Sequence, residues 1–189
     1  LIQEVGLPIE VHAHNDFGMA TANSVAGYKA GAEFISTTVN GLGERAGNAA
    51  LEEVVMALKY VEKRPTSVDI SKLKKLSEAV AKASGREIPL SKPIVGKNIF
   101  THEAGIQVDG LTKEPQTYEV FHPSEIGGER QILVGKHSGK NALQIKFKEF
   151  GIDLDERLAE KILKAVREKA VESKRPLFDK ELMYIYYKE

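Results

Sequence analysis

The sequence predicts an α/β segment with parallel strands, followed by a mostly helical segment. Three observations predict it. In the first third, short β-branched runs alternate with stretches of helical apolar spacing, and strand–helix–strand–helix order implies parallel strands joined by crossover helices. After Pro65 the strand signal fades, and amphipathic runs with caps and glycine stops take over. The composition, 42% hydrophobic and 29% charged over 189 residues, supports a real core and excludes disordered and fibrous classes.

The elements follow in order. Leu1-Ile-Gln-Glu-Val-Gly6 reads as the last turn of a helix with a glycine cap, and the sequence reads as cut from a longer one. Ile9-Glu-Val-His12 is a short strand. Ala20 to Ala30 is a helix closed by Gly31, and Glu33 to Val39 is a second strand. Leu51, Val54, Val55, Leu58 and Val61 recur at helical spacing up to Pro65. Two strands cannot complete a sheet alone, so this segment belongs to something larger. Asp69 or Ser71 caps a helix with Leu73, Leu76 and Val80 on one face, ending at Gly85. Residues 87 to 100 hold Pro89, Pro93 and Gly96 and read as a linker. Gly105 to Leu111 suits a short helix and Gln131 to Val134 a short strand. Ser138 caps a helix through Phe147 and Phe150, stopped by Gly151. Leu154 to Ser173 is a long charged helix with Leu158, Ile162, Val166 and Ala170 inward. Asp179 caps a final helix carrying Leu182, Ile185 and Tyr186.

Composition narrows the function classes. Basic and acidic residues balance at 27 each, so net charge does not point to nucleic acid or an anionic membrane. Without cysteine there is no disulfide, thiolate metal site or cysteine nucleophile. No apolar run approaches the ~20 residues that span a bilayer, and no signal-peptide pattern is present. A soluble, cytoplasmic protein is the expectation.

His12 and His14 are the sharpest chemical signal. Alternate residues of a strand share a face, so both imidazoles project together, at the strand end where parallel α/β folds bind ligands. Two neutral imidazoles there can chelate a divalent ion. Asn15 and Asp16 follow and can lend an oxygen or orient a ring. The alternative is two histidines meeting by chance, satisfied by backbone partners; strand-end placement and the Asn-Asp pair favour metal binding. Asn40-Gly-Leu-Gly43-Glu44-Arg45-Ala-Gly47-Asn48 ends the next strand, so it borders the same mouth. Its glycines allow close approach of backbone to a ligand, and Asn48 can cap a helix or reach a metal. By itself this run also reads as a plain turn with a Glu44–Arg45 surface pair. His102-Glu-Ala-Gly-Ile-Gln107-Val-Asp109-Gly begins like a zinc-protease motif, but Ile106 stands where the second histidine is needed. Tyr118 and His122 follow and suit either proton transfer or a surface loop. Gly135-Lys-His-Ser138-Gly-Lys140 fails the phosphate-loop pattern; Ser138 as a helix cap is favoured over an anion site at a basic helix start.

Taken together, these residues resemble the homocitrate and 2-isopropylmalate synthase family. Ile9-Glu-Val-His12-Ala-His14-Asn-Asp16-Phe-Gly18-Met-Ala20-Thr-Ala22 is similar to its signature, and Gly41-Leu-Gly43-Glu-Arg45-Ala-Gly47-Asn48 to its second motif. The stretch from His102 to Gly110, Tyr118 and Gly135-Lys-His-Ser-Gly139 resemble the region after the catalytic barrel. The ending Lys174-Arg-Pro-Leu-Phe-Asp-Lys-Glu-Leu182 looks most like homocitrate synthases of nitrogen fixation.

The resemblance implies the last two βα units of a (β/α)8 TIM barrel (residues 1–64), a helical linker subdomain (65–100) and a second, mostly helical subdomain (101–189). It implies a metal-dependent Claisen condensation of acetyl-CoA with 2-oxoglutarate, the ion being Mg, Mn, Zn or Fe. His12, His14 and Asn48 are the implied metal residues, Gly43, Glu44 and Gly47 the substrate or CoA loop, and Asn15 and Asp16 the supporting residues. Tyr118 matches a tyrosine that reaches the partner's active site in a homodimer. The family's catalytic histidine position holds Gln107, and glutamine cannot deliver a proton at neutral pH. Either His102 substitutes, or water does, or the substrate differs. The family's Asp-Arg-Glu motif lies on strand one, so the chain is expected to be a fragment, or the carboxyl-terminal half of a split enzyme. It is then inactive alone and completed by an amino-terminal half. The rival expectations are a 2-isopropylmalate, citramalate or Re-type citrate synthase, and a non-catalytic dimerisation or regulatory half.

Overall fold

The computed structural model describes residues 2–103, 110, 114 and 118–189. They fall into two compact units, Leu1–Ile99 with Ser124–Gly128, and Phe100–Pro123 with Glu129–Glu189.

The first unit opens with a helical turn, α1 (Ile2–Val5), which Gly6 ends at φ +62°, the left-handed geometry that glycine adopts without cost. β1 (Glu10–His12) and β2 (Phe34–Ser36) pair in parallel, Val11 opposite Ile35 and His12 opposite Ser36. The crossover is α2 (Ala20–Lys29), as parallel pairing requires. It packs closely on β1: a side chain at Gly27 would place its Cβ 2.5 Å from Val11 Cγ2. α3 (Leu51–Tyr60) follows, and Ala20, Ala49 and Val54 form a small core with Ala13, Ile35 and Leu58 packed on it.

The second strand is shorter than the Glu33–Val39 expected. The Thr38 amide is taken by the Ala49 carbonyl at 3.0 Å, so the chain leaves β1 and winds through a tight turn at Val39–Gly41. α4 (Leu73–Ser84) is reached through a single turn capped by Asp69, whose Oδ1 accepts from the Ser71 amide at 3.2 Å, and it ends at Gly85 with φ +69°. Its inward row corrects the expected one. Leu76 is exposed, and Ser77 is buried beside Leu73 instead. A serine is tolerated there because its hydroxyl and carbonyl both bond Asn40. The 87–98 segment carries neither helix nor strand.

In the second unit, β3 (Thr101–His102) and β4 (Gln131–Ile132) form a short parallel pair. Three helices follow: α5 (Lys140–Glu149), α6 (Glu156–Ser173) and α7 (Asp179–Lys188). Leu143, Phe147, Ile162, Val166 and Leu182 make the centre of their core. Asp155 caps α6, its Oδ1 accepting from the Leu158 amide at 2.8 Å.

Two expected caps are corrected. Ser138 caps no helix, because its hydroxyl accepts from the Gly135 amide (2.9 Å) and donates to the Glu103 carbonyl (3.0 Å), tying its loop to the residue after β3. Asp179 is the first residue of α7, not its cap. The Phe178 amide donates instead to Glu181 Oε2 at 2.8 Å, and Asp179 faces Lys146 at 3.1 Å. Of the helix expected at Gly105–Leu111, residues 105–109 and 111 lie outside the described residues. Among the described residues no helix is long and apolar enough to cross a membrane.

Candidate functional site

The site in the first unit is assembled by two segments that meet beyond the strand ends. His12 is the last residue of β1. His14 lies two residues on, in an isolated antiparallel bridge with Asn48. The Asn15 amide donates to the Gly47 carbonyl (2.9 Å) and the Ala49 amide to the Ala13 carbonyl (3.1 Å). Residues directly opposite across such a bridge present their side chains on one face. The His12 and His14 rings stand edge to face, centroids 5.0 Å apart, and both are exposed.

Asn48 is oriented from behind. Its Nδ2 donates to the Leu42 carbonyl at 3.0 Å and its backbone amide to the Gly41 carbonyl at 3.0 Å. Its Oδ1 is buried with no hydrogen-bond partner among the described residues. A buried polar atom left without a partner costs free energy, and Asn48 stands across the backbone bridge from His14. Two glycines make room for this arrangement. A Cβ at Gly43 would sit 2.6 Å from Asn48 Nδ2. One at Gly47, where φ is +87°, would sit 2.0 Å from the Gly41 carbonyl oxygen.

The remaining loop residues have defined duties. Asn15 Oδ1 accepts from the Ala20 amide at 3.1 Å, satisfying the start of α2. Asp16 and Arg45 form a bidentate pair, both contacts 2.9 Å. Hydrogen bonding from Arg45 holds the Asp16 carboxyl below the usual aspartate range. Arg45 therefore pairs across the two loops and not with Glu44, correcting the expected neighbour pair. Glu44 is exposed, and its carbonyl accepts from the Gly47 amide at 2.8 Å to close the turn. Among the described residues no group of three or more His, Cys, Asp or Glu gathers. Asn48, opposite His14, carries an amide oxygen that could join the two imidazoles, a donor set suited to a divalent ion that accepts nitrogen and oxygen ligands.

In the second unit, His102 is buried at the end of β3, its Nε2 3.6 Å from Glu119 Oε1. Arg130 grips Glu119 through two contacts of 2.8 and 2.7 Å, which lowers the glutamate's pKa and keeps it ionised. Tyr118 is half-exposed, its ring lying against Gly110, where an added Cβ would meet Cε2 at 2.4 Å. Gln107 lies outside the described residues. The Gly135–Gly139 loop borders a cavity of about 330 Å³ with Lys174 and Arg175. Two of its amides are already committed, Gly135 to Ser138 and His137 to Glu103 at 3.1 Å, so the backbone there is not an open anion cradle.

Several participants were not among the expected site residues. Arg45 as the partner of Asp16, Glu119 with Arg130, and the buried Glu52 and Lys92 all emerge only from tertiary structure. Glu52 left one trace in the sequence, since it heads the helical row Glu52–Val55–Met56 on an otherwise apolar face.

Comparison with known proteins bears on both units. Residues 1–80 match the HMGL-like family, and residues 94–174 match the homocitrate synthase post-HMGL domain-like family. "2-Isopropylmalate synthase 2" of Caldanaerobacter subterraneus subsp. tengcongensis is 64% identical over 182 residues, covering 96% of this chain and 47% of that protein. "Homocitrate synthase 1" of Nostoc sp. is 50% identical over 183 residues, 97% of this chain and 48% of that protein. The (R)-citramalate synthase of Methanocaldococcus jannaschii is 47% identical over 168 residues, 89% of this chain and 34% of that protein. The chain belongs to the homocitrate synthase and 2-isopropylmalate synthase family. It spans about half the length of the first two of these relatives.

Proposed function

We propose that this chain is the carboxyl-terminal part of a homocitrate synthase, condensing acetyl-CoA with 2-oxoglutarate and hydrolysing the resulting thioester with one water to give homocitrate and CoA. The observation that carries the reading is the convergence of His12, His14 and the unpartnered Oδ1 of Asn48 on one face. These three would hold a divalent ion (Mg, Mn, Zn or Fe), which when bound polarises the 2-oxo acid carbonyl. Gly43 and Gly47 let the loop backbone lie close to the Asn48 amide and to the thioester substrate, with Glu44 at its tip. Asn15 and the Asp16–Arg45 pair hold the two loops that carry the donors. His102, beside Glu119 in the second unit, is the group proposed for the acid role that Gln107 cannot fill, and Tyr118 donates a hydrogen bond to the developing oxyanion. The enzyme works as a dimer in the cytoplasm, with Tyr118 serving the partner's site. The residues that complete the barrel lie outside residues 1–189.

A 2-isopropylmalate synthase is the second reading, favoured by the 64% identity to a protein of that name. Release of CoA from acetyl-CoA, measured with 2-oxoglutarate, 2-oxoisovalerate and pyruvate on the complete enzyme, decides between them. Turnover with 2-oxoglutarate at the highest kcat/KM supports the first reading, and preference for 2-oxoisovalerate replaces it with the second.

A further inference from the structure

We propose that Glu52 is a positioning residue for the metal site: with Lys92 as its counter-charge, it fixes the Asn40 backbone and so aims the Asn48 amide. The inference rests on the reading of Asn48 as a donor to the ion.

Glu52 lies in the first turn of α3 and is 1% exposed. An ionised carboxylate so buried is costly unless it is paired and hydrogen-bonded. Both conditions are met. Its Oε1 faces Lys92 Nζ at 3.2 Å, and its Oε2 accepts from the Asn40 amide at 3.1 Å. Lys92 also meets Glu53 Oε1 at 2.7 Å. Burial works against the Lys92 ammonium, but the two glutamates outweigh it and raise its pKa. Glu53 in turn accepts from the Thr21 hydroxyl at 2.7 Å, which ties the cluster to α2.

Asn40 is the point of leverage. It stands at φ 60°, ψ 8°, in the left-handed region, which asparagine visits more readily than most non-glycine residues and which its hydrogen bonds fix here. Glu52 holds its amide. Ser77 holds its side chain, the Ser77 carbonyl accepting from Nδ2 at 2.9 Å and the hydroxyl donating to Oδ1. Rotation at Asn40 sets where the next two carbonyls point. Those carbonyls, of Gly41 and Leu42, receive the backbone and side-chain amides of Asn48 at 3.0 Å each. The path therefore runs from a buried ion pair, through one left-handed residue, to the orientation of Asn48 Oδ1.

A merely structural ion pair is replaceable. Well-packed apolar residues of similar volume often stabilise as well as a buried pair. The directed bond from the Asn40 amide is what an apolar side chain cannot copy. The test exploits this difference in the complete enzyme, with Mn²⁺ as the probe and its free concentration read by electron paramagnetic resonance. Glu52→Met with Lys92→Met should fold but weaken Mn²⁺ binding about tenfold. Glu52→Gln with Lys92→Met restores the acceptor without the charge and should recover most of the affinity. Ser77→Ala, a mild change on the other side of Asn40, should weaken Mn²⁺ binding in the same direction and carries the test if the double methionine variant fails to fold. Wild-type Mn²⁺ affinity in the double methionine variant, or in Ser77→Ala where that variant does not fold, overturns the inference. Equal weakness in the glutamine and methionine pairs overturns it too. Asn48→Ala separates the two levels: unchanged Mn²⁺ binding there sinks the ligand reading itself. Weakened binding there beside an unaffected double methionine variant sinks only the positioning role.

Discussion

His14 and Asn48 face each other across a single antiparallel bridge, 34 residues apart in sequence and held by backbone hydrogen bonds on either side. That bridge sets Asn48 directly opposite His14, and in the proposed reading its amide oxygen joins the two imidazoles as a third donor. His12→Ala or His14→Ala should therefore weaken divalent-ion binding at least about tenfold and abolish turnover in the complete enzyme. Isothermal titration with Mn²⁺ checks the first effect and a CoA-release assay the second. Near-normal values in both would remove the histidines from the site.

Gly43 offers a subtler probe of the same face. A methyl group there would overlap the Asn48 amide at 2.6 to 2.9 Å, so Gly43→Ala must push Asn48 aside. Ion affinity should fall while the fold survives, since the loop is at the surface. Gly18→Ala is the contrasting control. Gly18, unlike Gly43, lies in the left-handed region, at φ +71°, with open space around it. That substitution should cost stability of about 1 kcal/mol and leave ion binding alone. Equal ion affinity in the two variants would show that displacing the Asn48 amide does not matter to the ion.

Much of this was legible in the sequence, and the part that was not has a common physical cause. The strand period places His12 and His14 on one face without any tertiary knowledge. Asp69 and Gly85 mark helix ends because orphaned amides and φ > 0 are local problems with local solutions. Arg45 is different. Its nearest acid in sequence is Glu44, yet its partner is Asp16, which only the meeting of two loops brings near. Glu52 is hidden for the same reason, its counter-charge being 40 residues downstream in a segment without regular structure. Ser138 has the composition of a cap but finds better partners in its own loop and at Glu103.

The Arg130–Glu119 pair should behave as a buried interaction. The Glu119 side chain is 3% exposed, and Arg130 supplies both of its ion-pair hydrogen bonds. Arg130→Met leaves that carboxylate uncompensated and should destabilise the protein by about 3 kcal/mol. Arg130→Met combined with Glu119→Gln should recover much of the loss, because no buried charge remains. Urea denaturation of the two variants measures the difference. Equal stabilities would show that the pair is screened by solvent.

The Arg175–Glu181 pair makes a prediction about acid. Hydrogen bonding from Arg175, and then from the Phe178 amide, lowers the Glu181 pKa from 4.5 to about 2. The folded state thus binds this proton less readily than the unfolded state. The stabilisation is complete above the ordinary glutamate pKa and is lost as pH falls from about 4.5 towards 2. Glu181→Gln should lower Tm at pH 6, and the gap to wild type should close as pH approaches 2. The pair is partly open to solvent, so the effect should also shrink in high salt. A Tm gap independent of pH would assign the effect to the neutral cap at the start of α7.

The last prediction concerns the 189-residue chain on its own. His12, His14 and Asn48 offer an ion at most three donors, and a six-coordinate ion such as Mg²⁺ or Mn²⁺ is left with half of its positions unfilled by this chain's described residues. The described part of the first unit has a sheet of only two strands. It leaves Leu7, Phe17 and Phe34 at 66%, 93% and 58% exposure, more apolar surface than a β1–β2 pair can cover. Strand edges of this kind recruit further strands. The isolated chain should therefore associate and show no condensation of acetyl-CoA with 2-oxoglutarate. Co-expression with a polypeptide carrying the family's Asp-Arg-Glu strand should raise both solubility and Mn²⁺ affinity, and turnover should appear. Light scattering, Mn²⁺ titration and the CoA-release assay on the isolated and the reconstituted protein test each step. Turnover by the chain alone would mean that its own residues complete the site, and would overturn the view that the barrel strands outside it are required.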